Sequence, residues 1–210
     1  MRPTLDEIGL KHGTNKASDR HDYLSRYEPF FEPMRDQPIH ILEFGVDKGA
    51  SMRTWLEYFP NALVVGVDHF NPARFKPDDP RCVVVIDDQL HAHDNADVRM
   101  HSPYHIIIDD GGHHNNEVIE TFCAMWSKTI PENSLYIIED LNYSYKETYN
   151  QPGYKISAQQ WLSSIVLNEI HWEGSTRWAN RKDGLEELKC PLTKRLRFMH
   201  WTKYNLIIGL

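Results

Sequence analysis

The sequence predicts an α/β fold with a doubly wound, mostly parallel seven-stranded sheet, helices on both faces and an antiparallel last strand. Two observations support this prediction. Short apolar runs rich in Ile and Val alternate with helix-length segments, as expected for parallel strands that helices cover on both faces. The last two apolar runs are separated by only Thr202 and Lys203, which predicts an antiparallel pair joined by a tight turn.

The elements follow from the same pattern in chain order. The strand candidates are residues 39–44, 62–67, 82–86, 104–108, 134–138, 196–201 and 204–209, and the clearest helix candidates are residues 49–58 and 113–128. Residues 1–36 are polar and predict a helical and loop-like extension, which precedes a single globular domain at residues 37–210. Residues 171–195 show no clear period, and we interpret them as a binding loop or lid.

Composition limits the kind of protein this chain can be. Its 210 residues are enough for one α/β domain with a substantial core. The net charge of -7 disfavours a broad phosphate-binding surface, so nucleic acid is not an expected partner. Three cysteines without CxxC spacing predict neither a disulfide framework nor a zinc knuckle. With no apolar stretch near the roughly 18 residues needed to cross a bilayer, we expect a cytoplasmic protein without membrane association.

The segment ILEFGVDKGAS ends the first strand candidate and opens a helix. Gly45 allows a tight turn and close approach of a ligand to the backbone, and a helix starting near Gly49 offers unpaired N–H donors. The pattern is ExGxxxG, where dinucleotide folds have GxGxxG, so S-adenosylmethionine is favoured over NAD as the cofactor. A glycine after a strand is also ordinary turn chemistry, so this segment alone leaves both interpretations open.

Two later strand ends supply further cofactor candidates. Asp68 ends the second strand candidate, where an acidic side chain can accept hydrogen bonds from a ribose diol. After the third strand candidate, Asp87 or Gln89 can contact an adenine amino group. The alternative interpretation is local, with Asp68 capping its loop and consecutive aspartates serving as turn residues.

Acidic and imidazole side chains follow the fourth and fifth strand candidates. These residues are Asp109, Asp110, His113 and His114, and then Glu139 and Asp140. Since adjacent parallel strands end at the same edge of a sheet, up to four carboxylates would meet there. Like charges raise one another's pKa unless a cation neutralises them. Oxygen ligands favour Mg²⁺ or Ca²⁺, and a site completed by waters and a substrate diol suits Mg²⁺.

His113 lies three residues after Asp110, at the expected start of a helix. A neutral imidazole there can act as general base on a metal-held hydroxyl as that oxygen attacks a sulfonium methyl group. The alternative is that Asp110 caps the helix that His113 begins, with both neighbouring histidines solvated. The carboxylates of the adjacent strand favour the first interpretation.

Together these segments resemble the metal-dependent sugar O-methyltransferases of antibiotic biosynthesis, the rhamnosyl and macrolide-sugar (mycinamicin-type) group, and the sequence family also labelled cephalosporin hydroxylase. The resemblance covers most of residues 12–145 and is carried by HGTNK, ILEFGVDKGAS, DDQ at 87–89, IIIDDGGHH and YIIEDLNYSY. It implies a Rossmann-like class I methyltransferase fold, S-adenosylmethionine and Mg²⁺ as cofactors, and a sugar or glycosylated small molecule as acceptor. Homo-oligomerisation stays open. Two positions depart from the family pattern: Asn15 replaces an acid and Gly112 replaces a small hydroxyl residue.

The resemblance also implies roles for individual residues. The implied magnesium ligands are Asp110, Glu139 and Asp140, the implied base is His113, and the implied cofactor-pocket residues are Glu43, Gly45, Asp68 and Asp109. Two other classes remain as alternatives. One is a non-haem iron oxygenase using His113 or His114 with Asp110 as a facial triad. The other is a non-catalytic cofactor-binding protein, for which we would expect eroded ligand carboxylates.

Overall fold

The computed structural model describes residues 2–69, 75–128, 132–150, 156–171 and 196–209. The strands are β1 (His40–Phe44), β2 (Leu63–Asp68), β3 (Cys82–Ile86), β4 (Ile106–Asp109), β5 (Leu135–Ile138), β6 (Phe198–Trp201) and β7 (Leu206–Gly209). The helices are α1 (Leu5–His12), α2 (Leu24–Phe31), α3 (Ala50–Tyr58), α4 (Ala96–Met100), α5 (Asn115–Lys128) and α6 (Ala158–His171). Among these described helices, none combines the length and the apolar character that crossing a membrane requires.

The strands form one seven-stranded sheet in the order β3-β2-β1-β4-β5-β7-β6. Strands β1 to β5 pair in parallel, whereas β7 pairs antiparallel with both β5 and β6. The turn between β6 and β7 is closed by the Thr202 N–H, which donates to the backbone oxygen of Asn205 at 2.9 Å. The predicted mostly parallel sheet with an antiparallel end is therefore confirmed.

Helices cover both faces of the sheet, so strands β1, β2, β4, β5 and β7 are buried along most of their length. On one face, α1, α2 and α3 contribute apolar side chains such as Ile8, Phe31 and Trp55. On the other face, α5 and α6 contribute side chains such as Phe122 and Trp161. The doubly wound architecture predicted from the sequence is confirmed.

The N-terminal segment is polar in composition, but its helices place apolar and aromatic side chains in the core. Helix α1 begins with a capping box, in which Thr4 and Glu7 exchange side-chain and backbone hydrogen bonds. Helix α2 then places Tyr27 and Phe31 in the core, where both are fully buried. Helices α1 and α2 of this polar segment thus cover part of one face of the sheet.

Two predicted segments, residues 113–128 and 171–195, differ from the described helix bounds or extend beyond the described residues. Helix α5 begins at Asn115, so the helix start expected at His113 is two residues too early. The proposed binding loop at 171–195 lies outside the described residues, apart from its first position, which ends α6.

The strand order places the candidate site. Chain connection reverses direction between β1 and β4, which are neighbours in the centre of the sheet. In open α/β sheets, ligands bind in the crevice beyond the carboxyl ends of the strands at this switch point. Residues directly after β1, β2, β3 and β4 lie together there.

Candidate active site

A cavity of about 360 Å³ opens at the carboxyl ends of β1 to β4, within the size range typical of small-molecule sites. The cofactor candidates that line it are Gly45, Asp68, Asp87 and Gln89, and Asp110 lies on the side toward β5. Five residues chosen from the sequence are therefore brought together around one cavity.

The loop after β1 depends on glycine at two positions. Gly45 has φ of 89°, and a Cβ at this position would collide with the backbone oxygen of Asp110. Gly49 has φ of 71° and lies directly against the ring of Phe75, which lines the cavity. A left-handed backbone and close packing both favour glycine, so this loop holds the cavity wall close to the strand ends.

Asp68 ties the loop to the end of β2. One of its carboxylate oxygens, Oδ2, accepts the backbone N–H groups of Val46 at 2.8 Å and Asp47 at 3.1 Å. The carboxylate is thereby oriented by the glycine loop and lies in the cavity wall.

Asp87 and Gln89 line the cavity while bonding to neighbouring elements. Asn95 donates to Asp87 Oδ2 at 2.7 Å. Gln89 accepts the N–H of Gly112 at 2.8 Å and donates to the Thr121 hydroxyl at 3.1 Å. Gln89 therefore connects the end of β3 to the turn that follows β4.

Glu43 and Asp109, the other two implied cofactor residues, are buried and do not line the cavity. Glu43 Oε2 accepts hydrogen bonds from Ser51 at 2.8 Å and from the Trp55 indole at 3.0 Å. Burial raises the pKa of Glu43, and it raises the pKa of Asp109 to about 7 although the Gly111 N–H opposes that shift.

Asp110, His113 and Asp140 form a compact cluster beside the cavity. Each offers one ligand atom within 4.8 Å of the others. His113 Nε2 lies 3.8 Å from Asp110 Oδ1 and 3.9 Å from Asp140 Oδ2. His113 and Asp140 have φ of 59° and 56°, a backbone region that costs energy for such residues and is common at functional sites.

The surroundings of the two consecutive histidines differ. The His113 ring stacks on Tyr143, with centroids 5.3 Å apart and planes inclined by 16°. Because His113 lies before α5, the alternative in which it begins a helix capped by Asp110 does not describe this turn. His114 Nδ1 instead lies 3.0 Å from Glu117 Oε2, away from the cluster.

Lys16 is a site residue that the sequence interpretation missed. Its side chain is almost completely buried, and its ammonium donates to Asp110 Oδ2 at 2.5 Å and to Glu139 Oε2 at 2.7 Å. Glu43 Oε1 lies 3.5 Å from the same nitrogen. Burial lowers the pKa of Lys16, but the three nearby carboxylates raise it by more, so the pKa lies well above the ordinary lysine value. Lys16 therefore stays charged.

Two tyrosines from the same segment bond to the remaining carboxylate oxygens. The Tyr23 hydroxyl donates to Asp140 Oδ1 at 2.5 Å, and the Tyr27 hydroxyl donates to Glu139 Oε1 at 3.0 Å. Burial, followed by the hydrogen bond to Asp140, raises the pKa of Tyr23, so it remains a donor. The sequence signal was the HGTNK segment that ends in Lys16, together with two tyrosines four residues apart.

Glu139 and Asp140 therefore occupy different surroundings although they are consecutive. Glu139 is buried between Lys16 and Tyr27, and burial raises its pKa against the opposing effect of the Lys16 ammonium. Asp140 turns toward His113. The predicted metal ligands Asp110 and Asp140 thus lie in one cluster with His113, and Glu139 adjoins it through Lys16.

Comparisons with known proteins find sugar O-methyltransferases among the relatives of this chain. The chain is 35% identical over 153 residues to the 8-demethyl-8-alpha-L-rhamnosyl tetracenomycin-C 2'-O-methyltransferase of Streptomyces olivaceus, covering 68% of this chain and 39% of that protein. It is 30% identical over 168 residues to the L-olivosyl-oleandolide 3-O-methyltransferase of Streptomyces antibioticus, covering 72% and 40%. The chain therefore spans about two fifths of the length of the curated relatives it matches.

A solved structure extends the likeness to the whole fold. The MycE methyltransferase from the mycinamycin biosynthetic pathway, in complex with Mg and S-adenosylhomocysteine, superposes with a TM-score of 0.82 at 24% identity. This match covers 99% of the present chain and 53% of MycE. No family model matches the chain. The chain is therefore a homologue of sugar O-methyltransferases and has the fold of a class I methyltransferase, as its sequence segments indicate.

Proposed function

We propose that this chain is a Mg²⁺-dependent, S-adenosylmethionine-dependent O-methyltransferase that acts on a hydroxyl of a sugar or glycosylated small molecule. The observation that supports this most directly is the position of Asp110, His113 and Asp140 beside a cavity at the sheet's switch point. The named substrates of the two relatives carry rhamnosyl and olivosyl sugars. The predicted division into an extension at 1–36 and a domain at 37–210 remains a prediction.

The cavity fits S-adenosylmethionine. Its volume of about 360 Å³ is suitable, and Gly45 lets a ligand approach the backbone at the end of β1. We propose that Asp68 accepts hydrogen bonds from the cofactor ribose and that Asp87 or Gln89 lies near the adenine. We propose that Gly49, Glu43 and Asp109, which do not themselves line the cavity, support its wall.

The carboxylates fit a divalent cation. Asp110 and Asp140 offer hard oxygen atoms, and we propose Glu139 as the third carboxylate ligand, as the resemblance implies. The Glu139 oxygens already accept from Lys16 and Tyr27. Because a carboxylate has about four lone-pair sites, Glu139 can keep these bonds and still face a cation.

His113 is proposed as the general base. When bound, S-adenosylmethionine supplies an electrophilic methyl group and Mg²⁺ lowers the pKa of an acceptor hydroxyl. With the cofactor bound, His113 Nε2 would take the proton of the acceptor hydroxyl as the methyl group passes from the sulfonium sulfur to the hydroxyl oxygen, leaving S-adenosylhomocysteine. The Asp110 and Asp140 carboxylates, 3.8 Å and 3.9 Å from Nε2, would stabilise the imidazolium. Stacking on Tyr143 and the left-handed backbone hold the ring in one orientation.

The acceptor would approach from the side of Tyr143 and Tyr149. Their rings lie 4.7 Å apart, and Lys146 Nζ lies 3.7 Å above the Tyr143 ring. Aromatic faces suit the apolar face of a sugar ring. We propose that these residues contact the acceptor next to His113.

An iron oxygenase is less well supported by the geometry. A facial triad contains two histidines and one carboxylate, whereas this cluster contains one histidine and two carboxylates. His114, the second candidate ligand, is bonded to Glu117. The methyltransferase proposal therefore accounts for more of the site.

The first test is calorimetric titration of S-adenosylhomocysteine into the protein, with MgCl₂ and then with excess chelator. We expect saturable binding in both buffers, and a separate Mn²⁺ binding event detected by water-proton relaxation. NAD⁺ is the matched control ligand and should give no heat of binding. Absence of S-adenosylhomocysteine binding in both buffers would contradict the proposal.

A further inference from the structure

Four carboxylates from three adjacent strand ends converge on a small volume. Glu43 lies on β1, Asp110 follows β4, and Glu139 and Asp140 follow β5. Within the described part of the chain, the Lys16 ammonium contacts the first three of these carboxylates. Like charges this close raise one another's energy unless a positive charge compensates them.

Burial makes this compensation necessary. Glu43 and Glu139 are 0% and 2% exposed, and Lys16 is 1% exposed. Water therefore contributes little screening, and a buried carboxylate without a partner is strongly destabilising.

Lys16 is held in place by its own backbone. Its carbonyl oxygen accepts the N–H of Tyr23 at 2.8 Å and that of Leu24 at 3.2 Å. Tyr23 and Tyr27 then donate to Asp140 and Glu139. The side chains of Lys16, Tyr23 and Tyr27 thus all bond to carboxylates at the strand ends. These contacts hold the Lys16 ammonium in a fixed position.

We infer that Lys16 is a permanent counter-ion of this carboxylate cluster, which keeps Asp110 and Glu139 in position when no divalent cation is bound. Lys16 is a positioning residue, since it acts through the carboxylates. In this arrangement the fold does not depend on the metal, and the ion can leave and return without collapse of the site. The inference relies on the proposed function only for the presence of a cation site.

When the Lys16 ammonium is removed, a bound divalent cation should become the positive charge that compensates the carboxylates. In Lys16→Met the side chain keeps its length, but Glu43, Asp110 and Glu139 lose their buried positive partner. A divalent cation that enters the cluster then supplies the missing charge. The variant should therefore depend on the cation for stability, whereas the wild-type protein should not.

The experiment measures the melting temperature of wild type and Lys16→Met in excess chelator and in MgCl₂. In chelator we expect Lys16→Met to melt about 10 °C lower than wild type. Addition of MgCl₂ should restore at least half of that loss, while the wild-type melting temperature moves by much less. This readout needs neither cofactor nor acceptor.

Two further variants serve as controls. Lys11 is exposed and pairs with Glu57 at 2.7 Å on the surface, so Lys11→Met should melt within about 2–4 °C of wild type in both buffers. Lys16→Arg keeps the charge, so its melting temperature should depend on MgCl₂ less than that of Lys16→Met.

The outcomes decide the inference. A melting temperature of Lys16→Met that equals wild type in chelator, or a deficit that MgCl₂ leaves unchanged, overturns it. If Lys16→Met cannot be recovered in either buffer, the double variant Lys16→Met/Glu139→Gln, which removes one charge of each sign, replaces it. Recovery of the double variant supports the counter-ion role, and failure of both variants to fold overturns it.

The proposed function fails separately. If wild type binds no Mn²⁺ but MgCl₂ rescues Lys16→Met, the counter-ion role holds and the metal-dependent function is wrong. If wild type binds Mn²⁺ and MgCl₂ does not rescue the variant, the function stands and the role of Lys16 is wrong.

Discussion

The two halves of the site differ in how far along the chain their contacts reach. On the cavity side, the Asp68 carboxylate is bonded to backbone N–H groups 21 and 22 residues away. On the carboxylate side, Lys16 and Tyr23 bond to Asp110, Glu139 and Asp140 across 94 to 123 residues. Neighbouring strands build the first half, and a distant N-terminal segment completes the second.

This difference shows which interactions position the residues in each half of the site. The cavity side relies on backbone geometry, since glycine conformation and N–H donors form its wall. The carboxylate side relies on charged side chains, whose position depends on long-range ion pairs. Substitutions should therefore act through backbone strain in the first half and through charge in the second.

The largest effect is expected on the carboxylate side. Asp140→Asn retains the shape and still accepts the Tyr23 hydroxyl, but it removes one ligand charge. We expect Mn²⁺ affinity to fall by more than about 100-fold, since even groups that only support a metal ligand are worth 10- to 100-fold, and metal-dependent methyl transfer should fall with it. The control is Glu147→Gln, an exposed carboxylate on the following turn, which should bind Mn²⁺ as wild type. Wild-type Mn²⁺ affinity in Asp140→Asn would contradict the charge-based description.

An intermediate effect is expected on the cavity side. Gly45→Ala forces a Cβ into the backbone oxygen of Asp110 at φ of 89°. We expect a loss of about 1–3 kcal/mol of unfolding free energy, measured by denaturant unfolding, and at least a tenfold loss of S-adenosylhomocysteine affinity, measured by calorimetry. The matched control is Gly13→Ala, since Gly13 has φ of 71° but no described atom within 4 Å of the added Cβ.

Gly13→Ala should be destabilised by about 1–2 kcal/mol through its left-handed backbone and should bind S-adenosylhomocysteine as wild type. If both alanine variants bind it equally well, the cavity wall does not depend on close approach at Gly45.

The smallest effect is expected at the opposite edge of the sheet, where the strands begin. His105 Nδ1 accepts the His40 N–H at 3.1 Å, a bond that requires an unprotonated nitrogen. Burial, and then the neighbouring His40, lower the pKa of His105 below the ordinary histidine value of 6.5. The unfolded chain then binds more protons than the folded chain just below pH 6.5, so this contribution to stability is present above that pH and is lost as the pH falls.

We expect the unfolding free energy of wild type to fall between about pH 7 and pH 5 relative to His105→Asn, by less than about 1.4 kcal/mol per pH unit. Denaturant titrations at each pH measure this difference. S-adenosylhomocysteine affinity measured at pH 7.5 should be the same for both proteins, because His105 lies far from the carboxyl ends of the strands. Parallel pH curves for the two proteins would show that His105 does not titrate as inferred.

Much of the fold was predictable, because strand identity depends on local patterns. The observed strand ends lie within two residues of the segments chosen from apolar runs. The antiparallel pair β6–β7 followed from the short gap at Thr202 and Lys203. Gly45 and Asp68 were also predictable, since each lies at the carboxyl end of a strand that the apolar pattern identifies.

The sequence alone determined that carboxylates and imidazoles follow the strands β4 and β5, and hence that they meet at one edge of a parallel sheet. Only the tertiary structure decided that the consecutive residues Glu139 and Asp140 have different partners. The left-handed backbone at Asp140 turns that side chain toward His113, whereas Glu139 stays buried against Lys16. Lys16, the partner of Glu139, lies in a polar segment whose composition is typical of residues exposed on a protein surface. Its contacts over 94 and 123 residues leave no periodic trace in the sequence, because ion pairs depend on chain folding and not on local pattern.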